Sequence, residues 1–143
     1  MTDEAAIRTL VEARTTAMRN GDAATICESY ATGAVNYTLA PPLRQPAGEE
    51  HDVAALQAWF AEKGGGVWEE VRDLEVTVDG DLALATSLQS MGAPPDAPQP
   101  FELWYRSTLG LRRIDGRWLI VHEHASVPFH MDGTFAAATG LAP

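Results

Sequence analysis

Near the end of the chain, Trp104 to Phe129 reads WYRSTLGLRRIDGRWLIVHEHASVPF, two alternating runs on either side of Asp115-Gly116. That dipeptide suits a two-residue hairpin turn, because both of its members tolerate positive φ. A chain carrying this hairpin builds an antiparallel sheet around it. Side chains alternate along a strand, so Leu119, Val121, Ala125 and Val127 are expected on one face. Glu123 falls in the same row. A carboxylate among apolar neighbours carries a large desolvation cost if nothing meets it. It is therefore paired, protonated or turned toward a cavity.

The rest of the chain places helices first and strands after. From Asp3 to Arg19, Ile7, Leu10, Val11, Arg14 and Met18 recur at helical spacing, and Asn20-Gly21 ends the run. Arg14 thus lies on an apolar stripe. Asp22 can cap a short second helix to about Ala31, and Val35 to Leu39 reads as a strand stopped by Pro41-Pro42. A third helix is expected from about Asp52 to Lys63, broken by Gly64-Gly65-Gly66. Leu74, Val76 and Val78 alternate, Asp79-Gly80 turns, and Leu82 to Met91 runs back. Leu103 to Arg112 and Arg117 to Val127 complete the sheet. The order gives an α+β plan, with helices covering one face of a curved antiparallel or mixed sheet. One domain over 1–129 is expected, followed by a C-terminal tail at 130–143.

Charge narrows the partners. The 143 residues carry 20 acids against 10 bases, a formal net charge of −10. That disfavours nucleic acid, whose binding rests on neutralising phosphates, and anionic membrane surfaces. No apolar stretch approaches a transmembrane span, and MTDEAAIR does not open like a secretory signal. A cytoplasmic protein is the expectation. Cys27 is the only cysteine and reads as a small core residue. His122 and His124 share one strand face while Glu123 points to the other, so the triplet cannot supply three ligands to one ion. No metal and no cofactor are expected.

These pieces resemble the nuclear transport factor 2-like superfamily, and most closely its SnoaL-like members. The likeness rests on APPL at Ala40 to Leu43, AWF at Ala58 to Phe60, W-x-R-x-T from Trp104 to Thr108, and DGRWLIVHEHASVPF from Asp115 to Phe129. The resemblance implies a cone: a curved sheet wrapped around the long N-terminal helix, with two further helices and a cavity between. The superfamily includes ketosteroid isomerase, polyketide cyclases and the association domain of a calmodulin-dependent kinase, so the fold alone does not fix a function. At the position of the isomerase's aspartate base stands Thr38. At its oxyanion-hole tyrosine stands Arg14, and its second oxyanion donor falls near Leu109-Gly110. Steroid-type isomerisation by that mechanism is thereby disfavoured.

The resemblance places Trp104, Arg106 and Thr108 on the cavity face of their strand, with Trp59 nearby on the third helix. Periodicity brings Arg14 and Glu123 to the same interior. This set suits a planar, partly anionic or oxygen-rich small molecule. Arg14 and Arg106 would hold an oxyanion, Glu123 would move a proton, and Thr38, Trp59, Trp104 and Thr108 would line the site. Plainer readings stand beside it. Arg14 and Glu123 can form a structural ion pair. Arg106 can face solvent or a partner, Trp59 and Trp104 can be core, and Thr108 can reflect β-propensity. A homodimer is expected through the outer sheet face, using Trp118, Ile120, His122 and His124, with an oligomerisation or non-catalytic binding module as the alternative to an enzyme.

Overall fold

The computed structural model describes residues 1–143. The first helix, α1 (Asp3–Asn20), begins at Thr2, whose hydroxyl accepts the Ala5 N–H. It ends at Gly21 in the left-handed conformation, φ 65°. Glycine is required there twice over. A Cβ on Gly21 would come within 2.1 Å of the Gly65 carbonyl oxygen, and one on Gly66 within 2.2 Å of the Arg19 carbonyl. The glycine triplet thus does more than break a helix, because α1 docks directly onto it and Val67 N–H donates to the Met18 carbonyl. Two shorter helices follow, α2 (Ala23–Glu28) and α3 (Val53–Glu62), each N-capped by an aspartate, Asp22 and Asp52.

Five strands make one sheet: β1 (Tyr30–Tyr37), β2 (Trp68–Asp79), β3 (Leu82–Ala93), β4 (Phe101–Ile114) and β5 (Arg117–Ser126). Their spatial order is β1-β5-β4-β3-β2. β1 joins β5 in parallel and every other pair is antiparallel, so the sheet is mixed. Asp115 and Gly116 both take positive φ in the β4–β5 turn, as a type I′ hairpin demands. At the β2–β3 turn Asp79 pairs with Leu82, so the turn residues are Gly80-Asp81, one place later than the sequence suggests. α1 packs its stripe on the inner face, where Ile7, Val11, Ala85, Leu109, Leu111, Trp118 and Ile120 form the main core.

Two bulges decide which side chains face inward. On β2 the register shifts between Arg72 and Glu75, and Asp73 has φ 56°. Glu69 and Val71 face inward before the shift; Leu74, Val76 and Val78 do so after it. On β5 the register shifts opposite Gly110 and Leu111, with Val121 as the extra residue. Trp118 and Ile120 are therefore core residues, not outer-face residues as the unbroken alternation predicts. Past the bulge the parity changes, so Glu123 and Ala125 face inward while His122 and His124 lie on the outer face beside Tyr37. A one-residue bulge has this effect because the side-chain period of a strand is two.

Candidate active site

Between α1, α3 and the open side of the sheet lies a cavity of about 500 Å³. That volume suits a small organic molecule. Val11, Leu56, Trp59, Met91, Leu109 and Ala125 supply apolar wall, while Arg14, Asn36, Glu69, Gln89, Ser107 and Glu123 supply polar groups.

The centre of the site is one hydrogen-bonded network. Arg14 Nη2 donates to Glu123 Oε2 at 3.1 Å and to the Tyr30 hydroxyl at 3.1 Å. The Tyr30 hydroxyl in turn donates to Glu123 Oε2 at 2.7 Å. Arg14 Nη1 donates to Ser29 Oγ and to the Ile26 carbonyl, at 3.5 Å in the latter case. Each residue arrives from a different element. Arg14 comes from the apolar stripe of α1, Ser29 from the α2 C-cap, Tyr30 from the start of β1 and Glu123 from β5. Burial alone pulls the Arg14 guanidinium downward, but the acidic groups of Tyr30, Glu123 and Glu69 outweigh it and hold it above its ordinary value. Burial pushes the Tyr30 phenol up.

This geometry changes the role of Arg14. Both terminal nitrogens of its guanidinium are committed to protein acceptors. It fixes Glu123 instead of presenting a fork to a ligand carboxylate. Glu123 keeps Oε1 without a hydrogen bond inside the protein, since both of its contacts fall on Oε2.

A second carboxyl, Glu69, escapes the sequence reading. It sits on β2 facing inward, 7% exposed, and its nearest side-chain donor, Thr15 Oγ1, is 3.4 Å away. Thr15 also lies 3.1 Å from the Val11 carbonyl, and its single hydroxyl hydrogen serves one acceptor at a time. Burial pushes the Glu69 carboxyl above the usual carboxylate range; the Arg14 charge opposes this and the Glu123 charge adds to it. The alternation Val67, Glu69, Val71 carried the signal. It is out of phase with the Leu74, Val76 and Val78 row because the bulge at Asp73 lies between them.

Three expected site residues lie elsewhere. On β4 the inward positions are Tyr105, Ser107 and Leu109, so Trp104, Arg106 and Thr108 face the other way. Arg106 is exposed, and Trp104 stacks under the Arg72 guanidinium at 4.9 Å. Thr108 lies on the outer face between Thr86 and His124. The apolar alternation of Leu103, Tyr105, Leu109 and Leu111 favours the observed parity, and the carry-over from the resemblance was one residue out. Thr38 and Trp59 do line the cavity. Thr38 is exposed at the mouth, where Gln45 Nε2 donates to its hydroxyl at 2.6 Å. No group of three or more His, Cys, Asp or Glu side chains is arranged to hold a metal ion.

Comparison with known proteins agrees with this architecture. A solved NTF2-like protein of unknown function from Pseudomonas putida KT2440 is 32% identical, with a TM-score of 0.83, covering 100% of this chain and 99% of that one. A candidate dehydratase from the NTF2-like family from Streptomyces avermitilis is similar at 21% identity and a TM-score of 0.67, covering 87% of this chain and 95% of that one. An NTF2-like protein with a cystatin-like fold from Novosphingobium aromaticivorans reaches a TM-score of 0.67 at 19% identity, covering 99% and 90%. No curated protein matches the sequence. The model of the SnoaL-like domain matches residues 7–130, and the chain belongs to that family.

Proposed function

We propose that this protein binds a small metabolite in its cavity and carries out cofactor-free acid/base chemistry on it. The observation that carries the reading is the Glu123 carboxylate, fixed through Oε2 by Arg14 and Tyr30 with Oε1 left for a ligand. A carboxylate held at a cavity wall with one unused oxygen is suited to abstract a proton. Glu69, whose carboxyl burial shifts toward holding its proton, is suited to donate one. The two carboxyls line one cavity, Glu123 held by Arg14 and Tyr30 and Glu69 buried with one weak side-chain donor, and the scheme gives them the roles of base and acid. Cyclisation, isomerisation, hydration and elimination can each use such a pair, and the candidate dehydratase among the structural neighbours fits the last of these. Arg106 has no part in this scheme.

The test uses a generic carbon acid. Ring opening of nitrobenzisoxazole needs only a base in an apolar cavity. Saturable turnover that Glu123→Gln abolishes supports the reading; turnover equal to free carboxylate in solution rejects it.

A non-catalytic binding module is the second reading. It is favoured by Thr38, a hydroxyl at the position where the resemblance implies the isomerase's aspartate base, and one already engaged with Gln45. The proposal also includes a homodimer in the cytoplasm. The outer sheet face, with Leu82 and Leu84 half exposed, supports self-association through that surface. Light scattering that gives a monomer at tens of micromolar removes the dimer.

A further inference from the structure

We infer that the cavity takes a neutral ligand of the cyclic-amide type, held by an edge where a carbonyl oxygen and an N–H or O–H lie side by side. The oxygen accepts from Asn36 Nδ2 and the N–H or O–H donates to Glu123 Oε1. The inference rests on the small-molecule reading above and names its ligand class.

The first observation is a donor without a partner. Asn36 is 6% exposed and lines the cavity from β1. Its Oδ1 is sealed and unmet, whereas Nδ2, which also makes no hydrogen bond in the protein, keeps surface on the cavity. Turning the amide over would bury two N–H groups unmet and set a carbonyl oxygen beside the Glu123 carboxylate. Hydrogen-bond count and charge therefore both favour the orientation observed. A donor on so buried a side chain costs free energy unless something meets it.

The second observation is the acceptor beside it. Asn36 pairs across from Glu123 in the β1–β5 ladder. Neighbouring strands lie about 4.8 Å apart, so the two side chains start within reach of adjacent ligand atoms. Glu123 gives Oε2 to Arg14 and Tyr30 and leaves Oε1 unused, and no hydrogen bond joins it to Asn36. A donor and an acceptor thus stand side by side, and each ionic class of ligand satisfies only one of them. An ammonium meets Glu123 but offers nothing to Asn36 Nδ2. A carboxylate meets Asn36 but opposes Glu123. Arg14, the one basic residue of the lining, already gives both terminal nitrogens to protein acceptors. A neutral O=C–N–H edge, or its O–H counterpart, satisfies both groups at once. The apolar wall that includes Trp59 and Leu56 would hold the ligand's hydrocarbon part.

The test uses three bicyclic compounds of one shape. Hydrocarbostyril is a lactam with both groups, its N-methyl derivative lacks the donor, and tetrahydroquinoline lacks the carbonyl. Binding to the full chain is titrated through the backbone amide shifts of Ser107 and Leu109 and the side-chain amide of Asn36. Hydrocarbostyril is expected to bind at the cavity, to shift the Asn36 amide protons, and to bind about tenfold tighter than either of the others. Asn36→Leu should weaken hydrocarbostyril by about tenfold and leave tetrahydroquinoline unchanged. Asn36→Asp keeps the bulk and replaces the donor with an acceptor, so it should do the same; this second variant and the wild-type series decide the matter if Asn36→Leu does not fold. Equal affinity of all three compounds at the cavity, or wild-type affinity for hydrocarbostyril in either variant, overturns the edge and leaves the small-molecule reading intact. If none of the three shifts the cavity amides, the edge is overturned, while the reading above is judged separately by nitrobenzisoxazole turnover.

Discussion

Arg14 and Glu123 stand 109 positions apart in the chain and meet at 3.1 Å across the interior of the cone. The side chains are 16% and 17% exposed, so the pair is neither a surface bridge nor a fully dry one. One edge faces the cavity and the other is sealed by Tyr30 and Ser29. Arg14→Met should leave Glu123 with only the tyrosine donor. The expected loss is below the ~3–5 kcal/mol of a sealed pair, because cavity water reaches the carboxylate. A chemical denaturation curve checks this, and a loss of the full sealed-pair size would mean that the cavity edge is dry.

Glu69 should make stability fall as pH rises. Its folded-state pKa is raised, so between the ordinary glutamate value and that raised value the folded chain binds more proton than the unfolded one. The stabilising contribution is complete below the unfolded pKa and is lost on passing upward through the folded pKa. Glu69→Gln should flatten this part of the profile and raise the melting temperature by a few degrees at neutral pH. Melts of the two proteins from mildly acidic to neutral pH provide the comparison; parallel profiles would count against an upward shift at Glu69.

Arg106→Ala should be nearly silent. The side chain is exposed on the outer face and makes no hydrogen bond or ion pair. A stability change within about 0.5 kcal/mol is expected, with nitrobenzisoxazole turnover unaltered. A large loss of turnover would return Arg106 to the cavity.

Deleting Val121 should be severe. With the bulge removed, one strand parity cannot both bury Trp118 and Ile120 and point Glu123 into the cavity. Retaining the core turns Glu123 outward, and retaining Glu123 exposes two of the core's larger side chains. Destabilisation beyond about 4 kcal/mol or loss of cavity binding is expected. Near wild-type stability together with intact probe binding would refute this account of the bulge.

Much of this structure is legible in the sequence because it is local. The Asp115-Gly116 hairpin, the apolar stripe carrying Arg14, the Asp22 cap and the glycine stop at Gly21 all depend on residues close in the chain. Placing Glu123 in the interior also succeeded, though by a row that is not continuous. Leu119 and Val121 do not share its face, because the bulge at Val121 breaks the period between them. The tertiary structure alone decided which parity each strand presents after a bulge. It therefore decided that Glu69 enters the site, that Trp118 and Ile120 are core, and that Arg106 is excluded. It alone decided the fate of Arg14 as well. Spacing can put a guanidinium on a buried face, but only the meeting of α1, α2, β1 and β5 shows that its hydrogen-bond donors are already taken. The physical reason is the same in each case. Local periodicity assigns a side chain to a face only while the backbone stays regular, and hydrogen-bond occupancy depends on partners that the chain brings from far away.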